Sequence, residues 1–229
     1  MPPDQTWQAA VTTARPVPAL GRHVVDHLRR LIIVGDVPAG THLVEVDLSA
    51  MFDVSRGPVR DALRQLQTEG LVESRRRGVF VIGLSPDDID ELYNLRQVLE
   101  AEAIRLCMQQ KTDYSTVRAA VERMRSAAES GDVDRFAEAD LDFHTGFYAL
   151  SGHRRLTSIW EQYRPTFADM LAVTNTVDRD LAPTCQDHAD LLGAVEHGDQ
   201  ATVMSMLAEH VEGSHRRMLT AYQQHIATS

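Results

Sequence analysis

The chain has 229 residues, 43% of them hydrophobic, and a net charge of −10, which suits one large or two small packed domains and argues against a general nucleic-acid binder. No apolar run reaches the roughly 18 residues a membrane helix needs, and the start lacks a basic patch followed by an apolar stretch, so a cytoplasmic protein without a membrane partner is expected. The charge is uneven: residues 1–83 carry 10 Arg against 9 acids, a net of +1, and the remainder carries 13 basic and 24 acidic residues, a net of −11.

Residues 1–18 contain Pro2, Pro3, Pro16 and Pro18 and little periodicity, and read as a flexible arm. A first helix is predicted from about Leu20 to Val34. Val24, Leu28, Leu31 and Ile32 form its apolar face and Gly35 ends it. After the loop Asp36–Gly40, a second helix runs from Glu45 to Phe52 with Val46, Leu48 and Met51. The third runs from Arg56 to about Glu69. Ser55 is placed to cap it through its hydroxyl, and Pro58 falls in the first turn, where a missing N–H does no harm. Val59, Ala62, Leu63 and Leu66 recur at helical spacing and define a buried stripe. Arg56, Arg60 and Arg64 lie on the neighbouring stripe, which solvent or DNA can reach. Residues 71–74 and 79–82 read as two strands joined by the tip Arg75-Arg76-Arg77-Gly78. Residues 19–83 are therefore predicted to be a winged helix-turn-helix domain, whose second helix of the turn reads the major groove.

Gly83-Leu84-Ser85-Pro86 is a linker in which Ser85 caps the next helix and Pro86 suits its first position. Beyond it only helical patterns occur, over about 86–110, 113–129, 132–150, 154–175, 179–197 and 199–225, punctuated by Gly131, Gly152 and Gly198. Residues 84–229 are predicted to be an all-α bundle, making the whole chain mainly α. Cys107 and Cys185 read as buried free thiols. Within the bundle, Asp140 and His144 stand four apart on one helix, and His188 and His210 lie on two later ones. One carboxylate and three imidazoles from three helices can converge on a divalent ion, with zinc favoured and nickel or manganese as alternatives. His215 and His225 read as solvent-facing.

The run Val54-Ser55-Arg56-Gly57-Pro58-Val59-Arg60-Asp61-Ala62-Leu63, then Leu66, Glu69-Gly70-Leu71-Val72 and Gly78-Val79-Phe80-Val81, resembles the GntR family of bacterial transcription regulators. The resemblance implies that Arg56 and Arg60 read base edges or phosphates, with Arg64 beside them. It further implies that Ser55 donates to a phosphate, that Gly78 lets the wing tip approach the minor groove, and that Arg75, Arg76 and Arg77 neutralise phosphates. Gly57 stands where the family usually has a small hydroxyl residue, which removes one phosphate contact. The basic residue that the family often has near Val46 is missing here.

Residues 86–225 resemble the FCD ligand-binding domain of the FadR-type branch, through Asp140-Leu141-Asp142-Phe143-His144, Ser151-Gly152, His188 and His210, with Arg96 and Glu100 on its first helix. The resemblance implies that Asp140, His144, His188 and His210 hold one divalent cation. Arg96 would clamp an effector carboxylate, or pair with Glu100 one turn on. His153 replaces a common Asn and reads as a helix cap. Together these readings predict a homodimeric regulator, by default a repressor, on a near-palindromic double-stranded DNA operator, controlled by a small organic acid at the metal site. The alternatives are a metal sensor with the ion itself as signal and, more remotely, a metal-dependent enzyme acting on a small acid.

Overall fold

Helix α1, Ala19–Val34, opens the described part of the chain, which comprises residues 19–110, 112–177 and 180–228 of the computed structural model. The predicted arm of residues 1–18 lies outside it. The chain divides into two compact units, residues 1–32 with 37–83, and residues 33–36 with 84–229.

In the first unit, α1 buries Val24, Val25, Leu28 and Ile32. A short strand β1, His42–Leu43, precedes α2, Glu45–Met51, and α3, Arg56–Thr68. The stripe Val59, Ala62, Leu63 and Leu66 of α3 is buried as its spacing predicts. Ser55 occupies the N-cap position, but its hydroxyl makes no capping bond. Strands β2, Val72–Arg75, and β3, Gly78–Val81, form a hairpin in which Arg75 pairs with Gly78, so the tip shrinks to Arg76 and Arg77. The wing has a third strand that sequence patterning missed. His42 pairs with Phe80 and Leu43 with Val79, giving the order β1-β3-β2. Two residues are too few for alternation to show, and long-range pairing creates this strand. His42 stacks on Phe80 at 4.6 Å. Gly78 has φ +136°, a backbone conformation that residues with a side chain rarely adopt, and a Cβ there would also push the His42 ring aside.

Arg29 is 1% exposed, and its Nε and Nη2 donate to the two Glu69 oxygens at 2.7 and 2.9 Å. This buried pair ties α1 to the end of α3.

The second unit contains six helices among its described residues: α4, Pro86–Gln109; α5, Ser115–Ser130; α6, Val133–Leu150; α7, Arg154–Val177; α8, Ala182–His197; and α9, Gln200–Thr228. Ser85 and Asp88 close a reciprocal capping box on α4. Helix α8 begins about three residues later than its pattern suggests, with Pro183 in its first turn. Phe136, Phe143, Phe147, Tyr148 and Trp160 fill the core around α6. Helix α4 packs against α6, α7, α8 and α9, and so collects side chains from most of the bundle. Cys107 and Cys185 are buried and free. Burial pushes the Cys107 thiol up to about 11.

Candidate functional site

The first unit presents its cations on α3 and the wing. Ser55, Arg56, Gly57, Arg60 and Arg64 are exposed, as are Arg75, Arg76 and Arg77. They are not equally free. Arg60 donates to Glu45 of α2 through Nη2 at 3.0 Å and Nε at 3.2 Å, an ion pair absent from the sequence reading. Glu45 and Arg60 are 15 residues apart in sequence, so only the helix-turn-helix angle brings them together. The guanidinium pulls the Glu45 carboxyl below its ordinary range. Arg64 lies 3.5 Å from Asp61 on its own helix. Arg75 pairs with Glu73 at 2.5 Å and lies 4.8 Å from the centre of the Phe80 ring. Gly57 has open space around its missing Cβ, so no packing demand explains a glycine there.

The second unit brings Arg96, Glu100, Asp140, His144, His188 and His210 together. The first five are buried and His210 is half-buried. His144 Nε2 lies 3.3 Å from His188 Nε2 and 3.4 Å from His210 Nε2. Asp140 Oδ1 lies 3.2 Å from His144 Nε2 and 3.4 Å from His188 Nε2, and it has no hydrogen-bond partner among the described residues.

The backs of two rings are held by acceptors. His188 Nδ1 faces the Thr184 carbonyl at 2.7 Å. A carbonyl only accepts, so Nδ1 carries a proton and Nε2 is the nitrogen turned toward the cluster. His144 Nδ1 bonds the Glu100 carboxylate, and Arg96 Nη2 donates to His144 Nε2 at 2.6 Å. Arginine has no acceptor, so His144 likewise holds its proton on Nδ1 and points a lone pair inward. Burial pushes His210 well below the usual imidazole value and keeps it neutral.

One Arg96 charge and two carboxylates, Glu100 and Asp140, lie in a buried cluster with the imidazole nitrogens. That donor set fits a divalent cation, with His144, His188 and His210 as nitrogen ligands and Asp140 as the oxygen ligand.

Arg96 makes the pair with Glu100 that its spacing allowed, with Nε 3.3 Å from Oε2, and its Nη2 reaches His144 in the cluster. Its charge sits 5.7 Å from the Phe167 ring centre and 6.0 Å from that of Tyr93. Glu100 is the residue that sequence reasoning undervalued. It is fully buried behind His144, and its four-residue spacing from Arg96 was the available signal. His153 is exposed, and its Nδ1 accepts from the Leu156 N–H at 3.2 Å, capping α7. His215 departs from expectation. It is half-buried, 2.7 Å from Asp90, with its ring 5.0 Å from Tyr93. The side chain of His225 lies outside the described residues.

No described helix is long and apolar enough to cross a membrane. Residues 20–82 match the bacterial regulatory proteins of the gntR family, and residues 91–213 match the FCD domain. The chain is 31% identical over 156 residues to the gluconate operon transcriptional repressor of Bacillus licheniformis, an alignment covering 67% of this chain and 64% of that one. It is 30% identical over 190 residues to a probable D-xylose utilization operon transcriptional repressor of Paenarthrobacter nicotinovorans, covering 82% and 84%. The crystal structure of a putative transcriptional regulator GntR from Rhodococcus sp. RHA1 superposes with a TM-score of 0.63 at 26% identity, covering 88% of this chain and 98% of that one. The winged α3 unit and the FCD unit together place this chain in the GntR family of bacterial regulatory proteins, as a DNA-binding transcription regulator and not an enzyme.

Proposed function

We propose that a small organic acid, bound at a divalent metal in the helical unit, controls operator binding by the winged unit. In this reading residues 19–83 are the DNA-reading domain and residues 84–229 the effector domain. The observation that carries it is the convergence of the His144, His188 and His210 Nε2 atoms with Asp140 Oδ1 in one cluster. Asp140, His144, His188 and His210 would hold the ion, with zinc favoured over nickel or manganese. When bound, the metal supplies a positive centre that attracts a carboxylate.

The chain's own residues complete the site. Glu100 and the Thr184 carbonyl fix two imidazole tautomers. Arg96 is a second positive group at the cluster, matched in shape to a carboxylate. It donates to the same His144 lone pair that a cation would take, so ligation of His144 frees that N–H for an acid. Phe143 packs edge-on against the His144 and His188 rings.

In the winged unit, Arg56 and Arg60 read bases or phosphates of the major groove, with Arg64 beside them. Ser55 and the Gly57 backbone approach a phosphate, and Arg75, Arg76, Arg77 and Gly78 form the wing contact. A C2 homodimer reads two half-sites of a near-palindrome. Repression relieved by the acid is the polarity we assign, in keeping with the two repressors among the relatives. A carboxylate can act as a switch only if it binds the DNA-competent and DNA-released states with different affinity.

The test uses a duplex selected by the protein from a random pool. Its affinity is measured for the metal-free chain, for the zinc-loaded chain, and for the zinc-loaded chain with citrate or gluconate. The expected result is operator release by an acid only when zinc is bound. DNA affinity that follows zinc alone would replace the acid with the ion as signal. Indifference to both would remove the site from regulation.

A further inference from the structure

The two faces of the wing differ. Leu43, Val72 and Val81 are buried on one of them. Strand register puts His42, Phe80 and Glu73 in a single row across β1, β3 and β2 on the other. Arg75 and Gly78 form the next row on that face, beside the tip residues Arg76 and Arg77. His42 and Arg75 are exposed, and Phe80 is half-buried between them.

The His42 ring is held in place without using its nitrogens. It stacks on Phe80 with 14° between planes, and the Arg75 guanidinium also lies against that phenyl ring. Its Nε2 leans over Gly78, where a Cβ would meet it at 2.2 Å. Glu73, the acid of the row, is engaged by Arg75, whose Nε donates to it at 2.7 Å. Neither nitrogen of His42 makes a hydrogen bond among the described residues, so whichever carries the proton has an N–H to give. A phenyl ring would stack on Phe80 equally well. What imidazole adds is a donor at the edge of a face that already carries arginines, and the acceptor that suits such a place is a phosphate oxygen.

We propose that His42 belongs to the DNA contact of the wing and donates from its imidazole to a backbone phosphate. The inference rests on the wing contact proposed above and extends it from the hairpin tip to strand β1. Phe80 and Gly78 are positioning residues: the first fixes the plane of the ring, and the second leaves the room it occupies. A phosphate contact carries no base preference, so His42 adds affinity and not discrimination.

The test uses the full-length chain with the selected duplex and a random-sequence duplex of equal length. His42→Phe keeps the stack and removes the donor. Affinity should fall about three- to tenfold on both duplexes alike. His42→Lys returns a donor and should recover the lost affinity, with a salt dependence steeper than that of His42→Phe by about one counterion. Wild-type binding by His42→Phe overturns the proposal. So does a loss confined to the selected duplex, which would make His42 a base reader. A loss that lysine does not recover also overturns it, because the ring would then matter only for wing packing. Arg76→Ala with Arg77→Ala separates the two readings. If that double variant binds both duplexes normally, the wing contact fails and this inference fails with it. If it weakens binding while His42→Phe does not, only the assignment of His42 fails.

Discussion

The two units handle charge in opposite ways. On the winged unit Arg56, Arg76 and Arg77 make no ion pair among the described residues, and Arg60 is held by Glu45 in a pair whose side chains remain 53% and 35% exposed. In the helical unit Arg96 and Glu100 are 2% and 0% exposed, and each finds partners inside the bundle. Solvated charges can be traded from water or a weak surface pair to a phosphate at little cost. Buried charges must be matched on the spot, and whatever they leave unmatched becomes a demand on a ligand. Here the unmatched group is Asp140 Oδ1.

Four substitutions test that contrast, from the largest expected effect to the smallest. His144→Ala takes a ligand from the metal site and a partner from Glu100. Zinc affinity should fall by at least about 100-fold, and the helical unit should lose stability. Calorimetry and a thermal melt check both, and retained zinc binding would place the ion elsewhere. Arg29→Met breaks the one buried arginine pair described in the winged unit, where both side chains are 2% exposed. It should cost about 3 kcal/mol in urea unfolding, because Glu69 keeps only the Gln65 amide. A loss near zero would show that burial does not separate the two kinds of pair.

Arg60→Ala should weaken specific DNA binding about tenfold or more while leaving folding intact. Unchanged affinity for the selected duplex at physiological salt would count against Arg60 as a reader. Glu45→Gln should move the melting temperature least, since the pair is exposed. It should tighten binding to random DNA and blur discrimination, because Arg60 loses its orientation and an acidic charge leaves the DNA-facing side. Sharper discrimination in competition assays would contradict that role.

Much of this was legible in the chain because it depends on local periodicity. The apolar stripe of α3, the six helices of the bundle and the Ser85 cap follow from spacing and turn chemistry. Asp140 and His144 sit one turn apart wherever the helix goes. Other features had no local trace. Strand β1 is two residues long and exists only because β3 lies beside it. Glu45 reaches Arg60 across a helix-turn-helix angle. Arg29 looked like one more exposed charge on α1, yet it is buried against Glu69, 40 residues away. His215 read as solvent-facing, but Asp90, 125 residues away, holds it.

Sequence by itself determined which residues share a helical face, and hence the buried stripe, the arginine stripe and the Asp140-His144 pair, because an α-helix repeats every 3.6 residues. Tertiary structure alone decided which faces meet. It set which arginines stay free and which are held, it turned two histidine rings by their hydrogen bonds to the Glu100 carboxylate and the Thr184 carbonyl, and it left the Tyr148 hydroxyl unpaired among the described residues. Those outcomes depend on distances between helices far apart in the chain, and no local pattern encodes such a distance.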